Sequence, residues 1–302
     1  VVPYLETYAD GSDALAKRRF EKAKELGFIP ETTVLNDSFP SFRKWDELSE
    51  KTQNGFVESM AVMAGMIEAM DEHIGRYLDF LEREGLMDET IFIITSDNGP
   101  DGGDYSLLLP ILGMKGYNRD SEADGGENYY GFIGTEYANA LSSPFSFFKY
   151  YAAEGGLRVP FIMSGPGIPK GRRTNEFSFF TDIAPTIYDL VGLSTEANEG
   201  FVPISGKSMR PHIQNASLPI YPRGEGVGLE AANSGAYFLD GYKIVKNNIP
   251  HGDLQWRLYD LESDPCETHD LASENPMLFE KMRAAYEAYE KEVGVVPMPE
   301  GY

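Results

Sequence analysis

The stretch Thr90-Ile91-Phe92-Ile93-Ile94-Thr95-Ser96-Asp97-Asn98-Gly99-Pro100 governs how this chain is read. Six strand-forming residues, Thr90 to Thr95, run straight into an Asp97-Asn98 pair and a Gly-Pro turn. A near-continuous apolar run of this kind predicts a strand covered on both faces, as in parallel sheets flanked by helices. A carboxylate beside a carboxamide offers hard oxygen donors, the ligand type of Ca²⁺ or Mg²⁺. Open α/β sheets bind ligands at the carboxyl ends of their strands. The stretch therefore puts half a metal site at the edge where chemistry is expected.

Upstream, residues 55–84 form the strongest helical pattern. Met63, Met66, Ile67, Met70, Ile74, Tyr77, Leu78 and Leu81 recur at helical spacing and predict one face turned to a core, with Gly85 ending the helix. The first 50 residues are polar and read as a covering layer with one helix over Ser12–Leu26. Downstream, Val159–Ser164 predicts a strand closed by Gly165-Pro166-Gly167. Thr181 is placed to cap a helix over Asp182–Val191, which Gly192 terminates. From about residue 213 the pattern changes. Short strands are expected over Gly235–Leu239, Tyr242–Val245 and Arg257–Leu261, with Asp240-Gly241 as a hairpin turn and a last helix over Pro276–Val293. This predicts a larger unit over 1–212 and a small antiparallel α+β unit over 213–302.

The net charge of −22 argues against nucleic acid or an anionic membrane surface as partner, since both need clustered Lys and Arg. It is read as a solvated acidic surface, with cation binding or a salty medium as sharper alternatives. An anionic substrate would need a locally positive site. No run of 18 apolar residues is present. The single cysteine, Cys266, excludes an intramolecular disulfide and a thiolate cage. Its setting, Asp264-Pro265-Cys266-Glu267, reads as a surface turn with a structural thiol.

A second motif is Lys149-Tyr150-Tyr151-Ala152-Ala153-Glu154-Gly155-Gly156-Leu157-Arg158-Val159-Pro160. Two glycines just before a strand allow close backbone approach to a neighbour or ligand. Lys149 either neutralises an anion held by the cation or is an ordinary solvated lysine. Arg158 is read as a structural ion-pair former. Residues 99–148 are rich in Gly and Tyr with no clear element, and so long a loop suggests a lid or binding segment. Tyr105, Tyr117, Tyr129, Tyr130 and Tyr137 could stack on an aromatic substrate or anchor the loop to the core.

Together these motifs resemble the type I sulfatases of the alkaline-phosphatase superfamily, bacterial arylsulfatases above all. Asp71-x-x-Ile74-Gly75, Ser96-Asp97-Asn98-Gly99, Lys149 with Glu154-Gly155-Gly156 and Arg158-x-Pro160, Asp182-Ile183-Ala184-Pro185-Thr186, and Leu258-Tyr259-Asp260-Leu261 with Asp264-Pro265 and Glu267 follow in family order. The resemblance implies an α/β fold: an alkaline-phosphatase-like sheet sandwiched by helices, incomplete here, with a small C-terminal antiparallel α+β subdomain. It implies hydrolysis of aryl or other small-molecule sulfate esters by a formylglycine nucleophile and a divalent cation, Ca²⁺ before Mg²⁺ or Mn²⁺. Asp97 and Asn98 would be metal ligands, Asp97 would also assist deprotonation, and Lys149 would bind a sulfate oxygen and stabilise leaving-group charge.

Parts of the family pattern are absent. No Cys/Ser-x-Pro-x-Arg nucleophile motif and no consecutive aspartates occur, and His73, His212, His251 and His269 match no family histidine. The expectation is therefore the carboxy-terminal portion of a sulfatase, inactive alone, whose partner is the missing N-terminal part of the same protein, formylglycine included. Exposed strand edges and uncovered apolar faces then follow. The alternatives are a phosphodiesterase or phosphonate monoester hydrolase of the same superfamily, and an inactive truncated fragment. The family leaves cytoplasm and periplasm both open.

Overall fold

The computed structural model describes residues 2–36, 42–103, 109–117, 125–129, 131–196 and 202–298. Tyr105 and Tyr130 lie outside these residues.

Four helices enclose a first core: α1 (Val2–Tyr8), α2 (Ser12–Glu25), α3 (Glu50–Arg83) and, after β1 (Phe92–Thr95) and α4 (Leu109–Met114), α5 (Gly134–Ser142). α1 packs along α3 and α2 along α5. Leu15, Met60, Tyr137, Phe147, Phe148 and Tyr151 fill the space between them. The first 50 residues thus contribute to the core: Phe20, Ala23 and Ile29 form a second buried cluster with Cys266. α3 starts five residues earlier than its apolar periodicity suggested because Ser49 caps it, its side chain accepting from the Thr52 N–H. Gly85, at φ 70°, closes its C-terminus.

The short α6 (Glu154–Leu157) leads into β2 (Phe161–Ser164), which pairs with β1. The pairing is antiparallel, with Phe92 opposite Ser164 and Thr95 opposite Phe161. Both sheets among the described residues are antiparallel, so the parallel arrangement expected for β1 is corrected. An apolar run sets a strand's tendency to be covered, not the direction of its neighbour.

After β2 come a 3₁₀ turn and α7 (Ile183–Leu190). Thr181 lies inside that turn and does not cap α7. The organising residue is Asp182: its buried carboxylate accepts from Phe179 N, Lys207 N and the Tyr221 hydroxyl. α8 (Arg210–Gln214) runs through residue 212, so a partition between 212 and 213 would cut a helical turn. We propose residue 226, ahead of the next strand, as the better boundary.

The last sheet has the order β3 (Val227–Ala231), β4 (Ser234–Leu239), β5 (Tyr242–Lys246), β6 (Arg257–Asp260), all antiparallel. Asp240 and Gly241, both at positive φ, make the tight turn that closes Leu239 onto Tyr242. α9 (Pro276–Val293) covers one face through Met282 and Tyr286, packed on Leu239, Ile244 and Leu258. The other face, through Ala236, Phe238, Val245 and Tyr259, packs on Ala152, with Leu157 and Phe177 at its margin. This sheet is therefore joined to the motif region by apolar contact as well as by the chain.

Two apolar surfaces are uncovered. On α3, Met66, Ile67, Met70 and Tyr77 are 51–67% exposed, against the expectation of a core-facing stripe. On the strand pair, Ile94 and Ile162 are 48% and 56% exposed. Contiguous apolar surface of this extent marks an interface or an association hazard. Residues 1–302 produced alone are expected to self-associate on size exclusion with light scattering, and replacing Met66, Ile67 and Met70 with Gln should reduce that association. A monodisperse, cooperatively melting wild-type chain would contradict this.

Candidate active site

β1 delivers the chain into a turn held by its own polar groups. The Ser96 hydroxyl donates to the Asn98 carbonyl at 2.9 Å. The Asn98 amide nitrogen donates to the Gly99 carbonyl at 2.8 Å, which leaves Oδ1 as the lone-pair end of that side chain. The Asp97 carboxylate is exposed and accepts no hydrogen bond from any described residue.

Two backbone bonds fasten this turn to the lysine motif. The Gly99 N–H donates to the Gly156 carbonyl at 2.9 Å, and the Lys149 N–H donates to the Pro100 carbonyl at 3.0 Å. The approach explains the glycines. A Cβ on Gly99 would overlap the Gly155 carbonyl oxygen, and one on Gly155 would overlap the carbonyl oxygens of Phe147 and Ser146.

The Lys149 side chain is 29% exposed and pairs with Asp101, Nζ to Oδ2 at 3.1 Å. Asp101 is in turn fixed by the Gly103 N–H on Oδ1 at 2.9 Å. The Lys149 pKa is raised above its ordinary value, first by the hydrogen bond to Asp101, against the opposing effect of burial, and further by the charges of Asp101, Tyr150 and Asp97. Asp97 and Lys149 therefore share one electrostatic neighbourhood, and Asn98 is tied into it through the adjacent backbone. The ammonium also lies 5.2 Å from the centre of the Tyr150 ring.

The loop tyrosines are not gathered here in the same way. Tyr137 is fully buried, part of the first core, and its hydroxyl donates to the Tyr8 carbonyl at 2.7 Å. Its ring anchors the fold and is not available to stack on a substrate. Tyr129 is half-buried and Tyr117 is 41% exposed. Sequence reading missed Asp101, which sits in the turn just after Pro100. It also missed Tyr150, which is 50% exposed beside the lysine and held at φ 76°.

Glu154 of the second motif is buried rather than exposed to ligand. Its carboxylate accepts from Lys243 Nζ at 3.0 Å, and Lys243 also donates to Glu267 at 2.8 Å. Arg158 approaches the other Glu154 oxygen at 3.5 Å, the structural role expected of it. Cys266 is fully buried, not in a surface turn, and burial pushes its thiol up to about 12, so it is inert at neutral pH.

A family model for sulfatases matches residues 3–193. The chain belongs to the sulfatase family. An uncharacterized sulfatase of Schizosaccharomyces pombe is 30% identical over 99% of this chain and 55% of its own length. The arylsulfatase of Klebsiella aerogenes is 27% identical over 67% of this chain and 45% of its own length. Among solved structures, BT4656 in complex with D-glucosamine-2-N,6-O-disulfate superposes at a TM-score of 0.53, with 20% identity, over 81% of this chain and 43% of that one. Ps i-CgsB in complex with k-i-k-neocarrahexaose superposes at 0.54, with 21% identity, over 92% and 54%. The fold is thus that of the type I sulfatases, the alkaline-phosphatase-like α/β class. The chain spans about half the length of the curated relatives it matches.

Sulfatase membership implies a metal ion and a formylglycine in general terms. The donor set here fits a hard cation: an exposed, hydrogen-bond-free carboxylate beside an amide oxygen turned away from its own hydrogen bond. Among the described residues no cluster of three or more His, Cys, Asp or Glu side chains could hold a metal. Asp97 and Asn98 would therefore supply part of a coordination shell. No helix among the described residues is long and apolar enough to cross a membrane.

Gly99→Ala tests whether the junction depends on backbone contact. In the complete protein it is expected to cost about 1–3 kcal/mol by denaturant unfolding. Gly75→Ala, where a Cβ meets nothing within 4 Å, is expected to be neutral or stabilising.

Proposed function

We propose that this chain is part of a hydrolase of small-molecule sulfate esters, of arylsulfatase type. The observation that supports the reading is the double backbone tie, Gly99 N–H to Gly156 and Lys149 N–H to Pro100, which brings the backbone of Lys149 next to the turn that carries Asp97 and Asn98. Asp97 and Asn98 would hold a divalent cation, Ca²⁺ by preference for hard oxygen donors. That cation would act as Lewis acid and template when bound. The aldehyde hydrate of formylglycine, and the remaining metal ligands, would come from sequence outside residues 1–302.

Within this chain the roles divide by charge. Lys149 binds a sulfate oxygen and stabilises negative charge growing on the leaving group. Asp97, oriented by its turn, accepts a proton at its carboxylate. Asp101 keeps Lys149 cationic and limits its rotamers. Tyr129 would offer a ring for an aromatic leaving group to stack on; Tyr105 and Tyr130, expected to do the same, lie outside the described residues. Sulfuryl transfer asks for positioning and electrostatic stabilisation more than for covalent chemistry, as phosphoryl transfer does, and these groups offer both.

The complete protein should hydrolyse 4-nitrophenyl sulfate, lose turnover on chelation and regain it with Ca²⁺. Lys149→Ala should lower kcat by about 10²–10³, the usual effect of removing one transition-state donor. An unchanged kcat would sink the assignment. A phosphodiesterase or phosphonate hydrolase is the second reading, since a multifunctional alkaline phosphatase superfamily protein of Trinickia caryophylli is 29% identical over 43% of this chain. Faster turnover of bis(4-nitrophenyl) phosphate, with Mn²⁺ preferred, would favour it.

The sign of the Lys149 shift gives a pH test. Its raised pKa keeps the ammonium charged to higher pH than an isolated lysine, mainly through Asp101. Asp101→Asn removes that support, so the alkaline limb of kcat should move to lower pH while the acid limb stays. An alkaline limb that does not move would remove Lys149 from the titrating step.

A further inference from the structure

We propose that Ser234, Asn247 and Lys243, on or beside the β4–β5 hairpin of the C-terminal sheet, are positioning residues for Lys149. This rests on the sulfate-ester reading of the site given above.

Among the described residues, the backbone of the segment from Lys149 to Gly156 is bonded to the turn after β1 at its two ends, by the Lys149 N–H and the Gly156 carbonyl. Its middle needs support, because two side-chain-bearing residues beside Lys149, Phe147 at φ 63° and Tyr150 at φ 76°, sit in the left-handed region. Such conformations persist only where surrounding contacts over-determine them. Tyr151 and Ala153 pack in the first core, and the long-range polar contacts on this stretch come from the C-terminal sheet and Glu267. The fully buried Ser234 hydroxyl donates to the Tyr150 carbonyl at 3.0 Å. The buried Asn247 side-chain oxygen accepts from the Ala153 N–H at 3.1 Å. Lys243 grips the Glu154 carboxylate at 3.0 Å, and Glu267, held by the same ammonium, accepts from the Glu154 N–H at 2.9 Å.

Lys243 is 0% exposed. A buried lysine with two carboxylates contributes little net stability compared with an apolar side chain of similar volume. It does tolerate only one arrangement of its partners. Three polar anchors from one hairpin thus reach residues 150, 153 and 154, leaving the lysine loop little room to shift relative to the metal turn. The Ser234 hydroxyl additionally accepts from the Asn248 N–H at 3.1 Å, so the anchor is itself fixed.

The test is a double-mutant cycle in the complete protein, with 4-nitrophenyl sulfate as substrate. Ser234→Ala is expected to lower kcat about tenfold with KM nearly constant, the scale of a sub-ångström misplacement. In a Lys149→Ala background the same substitution should change kcat less than about twofold, because the group being positioned is gone. Equal losses in both backgrounds, or no loss in either, would overturn the proposal. Lys243→Met should follow the same pattern with a larger first loss, and Ser234→Ala decides the matter if Lys243→Met does not fold.

Amide hydrogen exchange reads the coupling without turnover. Ser234→Ala should reduce protection of the Lys149 and Gly99 amides about tenfold while Ile244 on β5 keeps its own. Unchanged protection at Lys149 and Gly99 would overturn the inference. If the wild-type protein fails to turn over sulfate esters, the functional reading falls, and exchange still decides whether the hairpin holds the lysine loop.

Discussion

A fully buried ammonium between two buried carboxylates ties the C-terminal sheet to the lysine loop in the middle of the chain. Lys243 comes from the C-terminal sheet, Glu154 opens the short helix after the lysine loop, and Glu267 follows the buried Cys266. Burial alone would drive the Lys243 proton off, but the two carboxylates more than offset it and its pKa is raised. Glu267 is raised as well, because burial and the like charge of Glu154 outweigh the lysine. Arg158, 3.5 Å from the other Glu154 oxygen, adds a second cation at the margin of the cluster. Removing Lys243 would strand two buried carboxylates, which is far costlier than the cluster's net contribution.

The rest of the site hangs from that point by hydrogen bonds of ordinary length. Glu154 fixes the start of a helical turn, the Gly155-Gly156 pair brings the backbone close, and Gly99 closes the contact from the β1 side. The lysine loop and the turn after β1 lie side by side because their backbones are bonded at Gly99 and Pro100. The arrangement relies on the absence of side chains at three glycines as much as on the presence of charged ones. In a chain carrying a net charge of −22, Lys149 keeps its proton through its pairing with Asp101.

Much of this could be read from the chain. The strand ending in Asp97-Asn98, the glycine pair after Lys149, the Asp240-Gly241 hairpin and α9 over Pro276–Val293 were legible because each rests on local rules of turn, cap and periodicity. The direction of β2 against β1 was not, since local pattern carries no information on pairing sense. α5 was hidden by its brevity and its place in a Gly/Tyr-rich stretch. The Glu154 cluster was illegible for a plainer reason: its partners lie 89 and 113 residues away in sequence. Periodicity also misjudged α3, where the apolar stripe was correctly located but much of it is uncovered. A stripe announces that something should cover it and is silent on what.

The bond between the Lys149 N–H and the Pro100 carbonyl has a consequence for how such enzymes diversify. The chain leaves this bond at Asp101 and returns to it at Lys149, with α5 packed into the first core on the way back. The entropy of closing a segment grows only with the logarithm of its length. Insertions ahead of α5 can therefore lengthen, shorten or rewrite that excursion while the chemistry on either side of the bond keeps its spacing, which makes this the place where one scaffold can acquire new tastes in substrate at low structural risk.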